Sequence, residues 1–118
     1  MAKKILIIED DQTTVKIIQN FLQSHDFEVS VAYDGQEGLR KLKENPPQLV
    51  ILDIQMPIMN GYTFVFEIKK LPNLKDIPII VLTAKEGMAE IFKVEGVKEY
   101  VVKPIQPDSL LEKVNKYI

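Results

Sequence analysis

The stretch LVILDIQMPIMNG, at positions 49–61, begins as a buried strand and ends as a turn. Its first four residues are all apolar, and such a continuous run is typical of a parallel strand that is covered on both faces. Asp53 stands where the run ends. An acid at that place either caps a turn or takes part in chemistry, and the surroundings of Asp53 decide between the two.

Short apolar runs recur along the chain and alternate with stretches of helical period. The strand candidates are residues 5–8, 29–32, 49–52, 77–82 and 100–102. The helix candidates, in which apolar residues recur every three or four positions, are residues 14–25, 35–44, 62–71, 87–95 and 109–117. Five βα units in succession predict an α/β fold, a doubly wound sheet of five parallel strands with helices on both faces and right-handed crossovers.

Several residues mark helix starts. Asp34, followed three residues later by Glu37, has the spacing of an N-cap with its capping box. Pro107 fits the first turn of the last helix. We interpret Asp11 as the N-cap of the first helix, with only a minor part in metal binding.

The composition favours one domain in the cytoplasm. The chain has 118 residues, of which 46% are hydrophobic, and a formal net charge of −2. That balance disfavours nucleic acid as a direct partner, because phosphate binding draws on a basic surplus. The chain has no cysteine, which excludes disulfides and thiolate zinc sites. No stretch approaches the length of a membrane span, so we expect no membrane association.

Acids, a hydroxyl and a lysine directly follow four of the apolar runs. They are Glu9, Asp10 and Asp11 after the first run, Asp53 after the third, Thr83 after the fourth and Lys103 after the fifth. In an open α/β sheet, ligands bind beyond the carboxyl ends of the strands, where the strand order reverses. If the order is 2-1-3-4-5, the first and third strands are neighbours at that point and their acids meet.

Carboxylates that meet either take up protons or bind a cation. With no histidine or cysteine nearby, an oxygen-preferring divalent ion is expected, and Mg²⁺ fits best because it is held by one or two carboxylates with waters and phosphate oxygens. Asp53 would then be a nucleophile, since carboxylates form acyl phosphates. The metal and Lys103 would neutralise charge on the transferred phosphoryl group.

These residues resemble the receiver domain of response regulators in two-component signalling, and the chemotaxis regulators in particular. The resemblance covers the whole chain and is carried by IIEDD at 7–11, ILDIQMPIMNG at 51–61, VLTAK at 81–85 and EYVVKPI at 99–105. It implies a single receiver domain over residues 1–118. It also implies a flavodoxin-like (βα)5 three-layer sandwich with the strand order 2-1-3-4-5.

The resemblance implies a metal site and a phosphoacceptor. Glu9 and Asp10 match the acidic pocket, with Asp10 as the more direct ligand of Mg²⁺, for which Mn²⁺ is the alternative ion. Asp53 matches the phosphorylated residue and also contacts the metal. The backbone carbonyl of Gln55 would face the same ion.

The resemblance also implies a switch. Thr83 matches the hydroxyl that moves to the phosphoryl group, and Tyr100 matches the aromatic side chain that changes rotamer. Lys103 matches the lysine that contacts the phosphoryl group. Its peptide bond with Pro104 is expected to be cis.

The partners implied are a sensor histidine kinase or a phosphotransfer protein, and a downstream protein target. A phosphorylation-dependent dimer is a further expectation. The protein is expected to be a signalling phosphoacceptor that catalyses only its own phosphorylation and dephosphorylation. Two departures are visible, since residues 83–103 span less than the family's usual spacing, and Gln55 and Lys85 occupy positions at which phosphoryl lifetime is tuned.

Three other functions remain open at this point. An aspartyl-phosphate phosphatase of the haloacid-dehalogenase type wants a second Asp two residues after the nucleophile, where this chain has Gln55. A flavodoxin would need a phosphate-cradling loop after the first strand, where EDDQTT instead presents negative charge. A receiver-like docking scaffold that is never phosphorylated would not need the intact set of acids.

Overall fold

A computed structural model describes residues 2–54, 59–84 and 97–118. In these ranges the chain forms, in order, β1 (Lys4–Ile8), α1 (Gln12–Ser24), β2 (Glu28–Ala32), α2 (Gly35–Glu44), β3 (Leu49–Asp53), α3 (Gly61–Lys69), β4 (Ile79–Thr83), β5 (Val97–Val102) and α4 (Pro107–Tyr117). The helix predicted at residues 87–95, Gln55 and Lys85 lie outside the described residues.

The five strands form one parallel sheet in the order β2-β1-β3-β4-β5. The predicted fold class and strand order are therefore confirmed. The order reverses between β1 and β3, whose register pairs Ile8 with Leu52. Glu9 directly follows β1 and Asp53 is the last residue of β3, so the register brings them level at the carboxyl edge of the sheet.

The core lies in two layers, one on each face of the sheet. Leu6 and Ile8 of β1 pack with buried residues of α2 and α3, whereas Ile5 and Ile7 pack with buried residues of α1 and α4. Side chains alternate between the faces of a strand, so a strand that is covered on both sides must be apolar at every position. This explains the continuous apolar runs that predicted the strands.

Several element ends depart from the sequence prediction by a few residues, and three of these departures have a clear physical cause. Helix α1 begins at Gln12, two residues early, because Asp11 caps it by accepting the N–H of Thr14. Helix α3 begins at Gly61 behind an N-cap at Asn60 that the sequence prediction missed. Strand β5 begins at Val97 rather than at residue 100, because this edge strand is only partly buried and has no continuous apolar run.

Two other predicted features are confirmed. Asp34 caps α2 through the N–H of Glu37 at 2.8 Å, and the Glu37 carboxylate accepts the N–H of Tyr33 at 3.0 Å. Pro107 is in the first turn of α4. Among the helices that the structure describes, none has the length and apolar character needed to cross a bilayer.

Candidate functional site

Three acids meet at the carboxyl edge of the sheet. Glu9, Asp10 and Asp53 each offer one carboxylate oxygen, and these oxygens all lie within 4.8 Å of one another. Glu9 directly follows β1, and its backbone N–H donates to the carbonyl of Ala32 at the end of β2, at 3.0 Å. The sequence predicted this meeting from the ends of the first and third strands.

The three acids differ in exposure. Glu9 is 1% exposed and Asp53 is 4% exposed, whereas Asp10 is open to solvent. Thr83 at the end of β4 is also buried. Two of the three carboxylates are therefore buried and that of Asp10 lies on the solvent side, and we call the three together the acid pocket.

Lys103 supplies a positive charge to the buried acids. Its Nζ lies 2.9 Å from Glu9 Oε2 and 3.6 Å from Asp53 Oδ1. The contact with Glu9 is an ion pair at hydrogen-bond distance. The Lys103 backbone N–H donates to the Thr83 carbonyl at 2.7 Å, which ties the ends of β4 and β5 together. The Lys103–Pro104 peptide bond is cis, as expected.

Burial and the neighbouring charges change the pKa values of Glu9 and Lys103. Burial raises the pKa of Glu9 from 4.5 to about 7, with the Lys103 ammonium opposing this rise and the Asp53 carboxylate adding to it. Burial alone would lower the pKa of Lys103, but Glu9 and Asp53 outweigh it and the pKa is raised. In the described part of the chain, Lys103 pairs with Glu9 and Asp53 and is the lysine that neutralises these acids, so negative charge is in excess.

The donor set fits a hard divalent cation. All the gathered ligand atoms are carboxylate oxygens, which Mg²⁺ and similar ions prefer. Glu9 Oε2 is buried and has no hydrogen-bond partner among the described residues. Its cationic neighbour in the described part of the chain, the Lys103 ammonium, is shared with Asp53, so a divalent cation would complete the neutralisation of these buried carboxylates. The backbone carbonyl predicted to complete the site, that of Gln55, lies outside the described ranges.

The raised pKa of Glu9 predicts an unusual pH dependence of stability. With divalent ions chelated, the free energy of unfolding should fall as pH rises from 4.5 to about 7. In this window unfolded Glu9 has released its proton while folded Glu9 still holds it, so raising the pH favours unfolding. The lowered pKa values of Asp11 and Glu99 change the free energy of unfolding only at pH values below this window. Urea unfolding in EDTA at several pH values measures the slope.

Glu9→Gln should remove that slope, because the amide does not titrate. Glu44→Gln is the matched control, since Glu44 is an exposed helix residue paired only with Arg40 in the described contacts. A slope that survives in Glu9→Gln would show that the pH dependence arises elsewhere.

Tyr100 is held by α4. It is half-buried on β5 and packs against the core layer of α2 and α3. Lys113 Nζ donates to the Tyr100 carbonyl at 2.9 Å and lies 5.7 Å from the centre of its ring. The sequence prediction missed Lys113, and no motif in the sequence marks it.

A groove of about 180 Å³ opens beside the acids. It is lined by residues of α1 and of the segment after β5, namely Thr14, Ile17, Ile18, Lys103, Pro104 and Ile105. Ile17 is 53% exposed although it is a large apolar side chain. The groove shares Lys103 with the acid pocket, so an occupant of the groove would contact the residue whose ammonium pairs with Asp53.

Comparison with known proteins agrees with this architecture. The Response regulator receiver domain family matches residues 5–115. Chemotaxis protein CheY of Bacillus subtilis is 36% identical over 117 residues, which is 98% of each protein. Transcriptional regulatory protein PrrA of Mycobacterium tuberculosis is 33% identical over 96% of this chain and 48% of its own length. The chain thus spans about half the length of several curated relatives.

A solved structure has the same fold. The receiver domain of sensor histidine kinase PA1611 from Pseudomonas aeruginosa, with a magnesium ion coordinated in its active-site cleft, matches with a TM-score of 0.90 and 26% identity. The match covers 99% of this chain and 98% of that one. Sheet order, acid pocket and family match agree, and the chain belongs to the response regulator receiver domain family.

Proposed function

We propose that residues 1–118 work as one receiver domain that accepts a phosphoryl group on Asp53. The observation that carries the proposal is the position of the Asp53 carboxylate. It is buried at the end of β3, lies 3.6 Å from the Lys103 ammonium and shares a pocket with two further acids. A carboxylate so placed is a nucleophile beside a cation that can receive negative charge.

The transfer is a displacement at phosphorus. An Asp53 oxygen forms the new O–P bond while the P–N bond of a donor phosphohistidine breaks, and the imidazole keeps the electron pair and takes up a proton. Lys103 stabilises the charge on the transferred oxygens. Glu9, Asp10 and Asp53 would hold Mg²⁺, or Mn²⁺, which when bound supplies further charge neutralisation. Hydrolysis of the acyl phosphate returns Asp53 to the free carboxylate. The protein thus catalyses only its own phosphorylation and dephosphorylation.

Phosphorylation then acts as a local change of charge. The new phosphate carries close to two negative charges and offers acceptor oxygens. The Thr83 hydroxyl moves to these oxygens from the end of β4, and Tyr100 turns inward. The surface around β5 and α4 changes as a result, and binds a downstream protein or a second copy of the chain.

The donor is a sensor histidine kinase or a phosphotransfer protein. The apolar groove beside Lys103 supports this, because a protein that presents a phosphohistidine to Asp53 must cover that surface. This donor class is tested by measuring the transfer of labelled phosphate from purified, autophosphorylated kinases of the same organism to the protein. If none of them passed its label to Asp53, the proposed donor class would be wrong.

The proposed function has a direct test that needs no partner. The wild-type protein is incubated with Mg²⁺ and a small acyl phosphate, and the product is analysed by intact mass and by peptide mapping. One base-labile phosphoryl group on the peptide that contains Asp53 is expected, and EDTA should prevent its formation. Modification elsewhere, or none at all, would contradict the proposal.

A further inference from the structure

The two carboxylate oxygens of Glu9 have different surroundings. Oε1 accepts the backbone N–H of Asp11 at 3.2 Å. Oε2 lies 2.9 Å from the Lys103 ammonium, and no hydrogen bond from the described residues reaches it. The Asp11 N–H therefore holds one oxygen of Glu9 while the other pairs with Lys103, and together they orient the buried carboxylate.

Asp11 is itself held by the first turn of α1. Its Oδ2 accepts the Thr14 N–H at 3.3 Å and also the Thr14 hydroxyl, and its carbonyl accepts the Val15 N–H at 3.0 Å. The bond from the Thr14 hydroxyl is the main cause that lowers the pKa of Asp11. Its carboxylate is thus committed to the helix, and Asp11 is not one of the three acids whose oxygens gather.

We infer that Asp11 and Thr14 are positioning residues of the metal site, which act through the backbone N–H that orients the buried Glu9 carboxylate. This inference rests on the metal site of the proposed function. The Thr14 hydroxyl fixes the Asp11 side chain, the capped turn fixes the Asp11 N–H, and that N–H fixes Glu9. Residues that orient a metal ligand in this way contribute to affinity without touching the ion.

Three variants of the first turn of α1 test the inference. Thr14→Val removes the hydroxyl and keeps the shape, Thr14→Ser keeps the hydroxyl, and Thr13→Val makes the same change at an exposed neighbour. The readout is the dissociation constant for Mg²⁺, measured by calorimetry with no phosphoryl donor. Thr14→Val should raise the dissociation constant for Mg²⁺ by about threefold to tenfold. This is at or below the roughly 10- to 100-fold loss that is typical when a residue that orients a metal ligand is replaced. Thr14→Ser and Thr13→Val should bind like the wild type.

Thermal unfolding in EDTA separates positioning from simple capping. If Thr14→Val lowered the melting temperature but left Mg²⁺ affinity unchanged, Thr14 would be a cap only and the inference would be overturned. Tighter binding would mean that the released Asp11 carboxylate had become a ligand, which overturns it as well.

Asp11→Asn is a second, independent variant. Asn is as good an N-cap as Asp, so at physiological salt this variant should keep the wild-type affinity for Mg²⁺. A loss as large as that of a ligand substitution would make the Asp11 carboxylate itself a ligand, against the inference. If the wild type bound no Mg²⁺, both the metal site and this inference would be wrong. If the wild type bound Mg²⁺ and Thr14→Val bound it with the same affinity, only this inference would be wrong.

Discussion

Asp53→Asn should abolish phosphoryl transfer from an acyl phosphate and leave the fold intact. The amide has the shape of the carboxylate but is not a nucleophile at phosphorus, so no covalent intermediate can form at this position. The substitution also removes a charge that raises the pKa of Glu9. Metal-free Asp53→Asn protein should therefore be at least as stable as the wild type near neutral pH.

The measurement is incorporated phosphate per chain after incubation with Mg²⁺ and the donor. Asp76→Asn is the matched control, because Asp76 is exposed and lies before β4, at the opposite edge of the sheet. The control should be modified to the wild-type extent. Phosphate that persisted in Asp53→Asn would place the acceptor on another residue.

Lys103→Met should cause the second large effect, on rate and on stability together. Removing a charge-stabilising group of this kind costs about 100-fold or more in rate. The substitution also leaves two buried carboxylates without the ammonium that lies 2.9 Å and 3.6 Å from them. Breaking a buried ion pair costs on the order of 3 kcal/mol, and the partial exposure of Lys103 reduces that figure.

The initial rate of acyl-phosphate labelling at saturating Mg²⁺ and urea unfolding in EDTA measure the two effects. Lys116→Met is the control, since Lys116 forms an exposed pair with Glu99 at 3.2 Å, and such surface pairs contribute about 0–1 kcal/mol. The stability loss of Lys103→Met should shrink at low pH, where Glu9 is protonated and neutral. Labelling of Lys103→Met at the wild-type rate would exclude Lys103 from the transfer.

The sequence pattern was sufficient for the strands and for the polar residues that follow them, whereas the meeting of the acids also required the strand order. Because β1, β3 and β4 are covered on both faces, each contains a continuous apolar run, and a chemistry-bearing residue stands directly after each run. Strand order could not be predicted from the sequence pattern, because hydrophobic periodicity does not encode which strands are neighbours. The order 2-1-3-4-5 came from the family resemblance.

Other features depend on tertiary contacts that leave no local pattern. Adjacent acids in the sequence gave no sign that Glu9 would be buried and Asp10 exposed. The path from Thr14 through Asp11 to Glu9 was visible only in part, as the spacing of an N-cap and its third helical residue. The contact between Lys113 and Tyr100 joins residues on different elements, and no sequence rule predicts it.

The tie between Thr83 and Lys103 has an evolutionary consequence. It joins a carbonyl to an amide hydrogen, so exchanging either side chain leaves the junction of β4 and β5 in place. The groups that flank the acceptor can therefore diversify while their spacing persists. A substitution at position 83 or 103 can therefore change the chemistry beside Asp53 without moving the ends of the two strands apart.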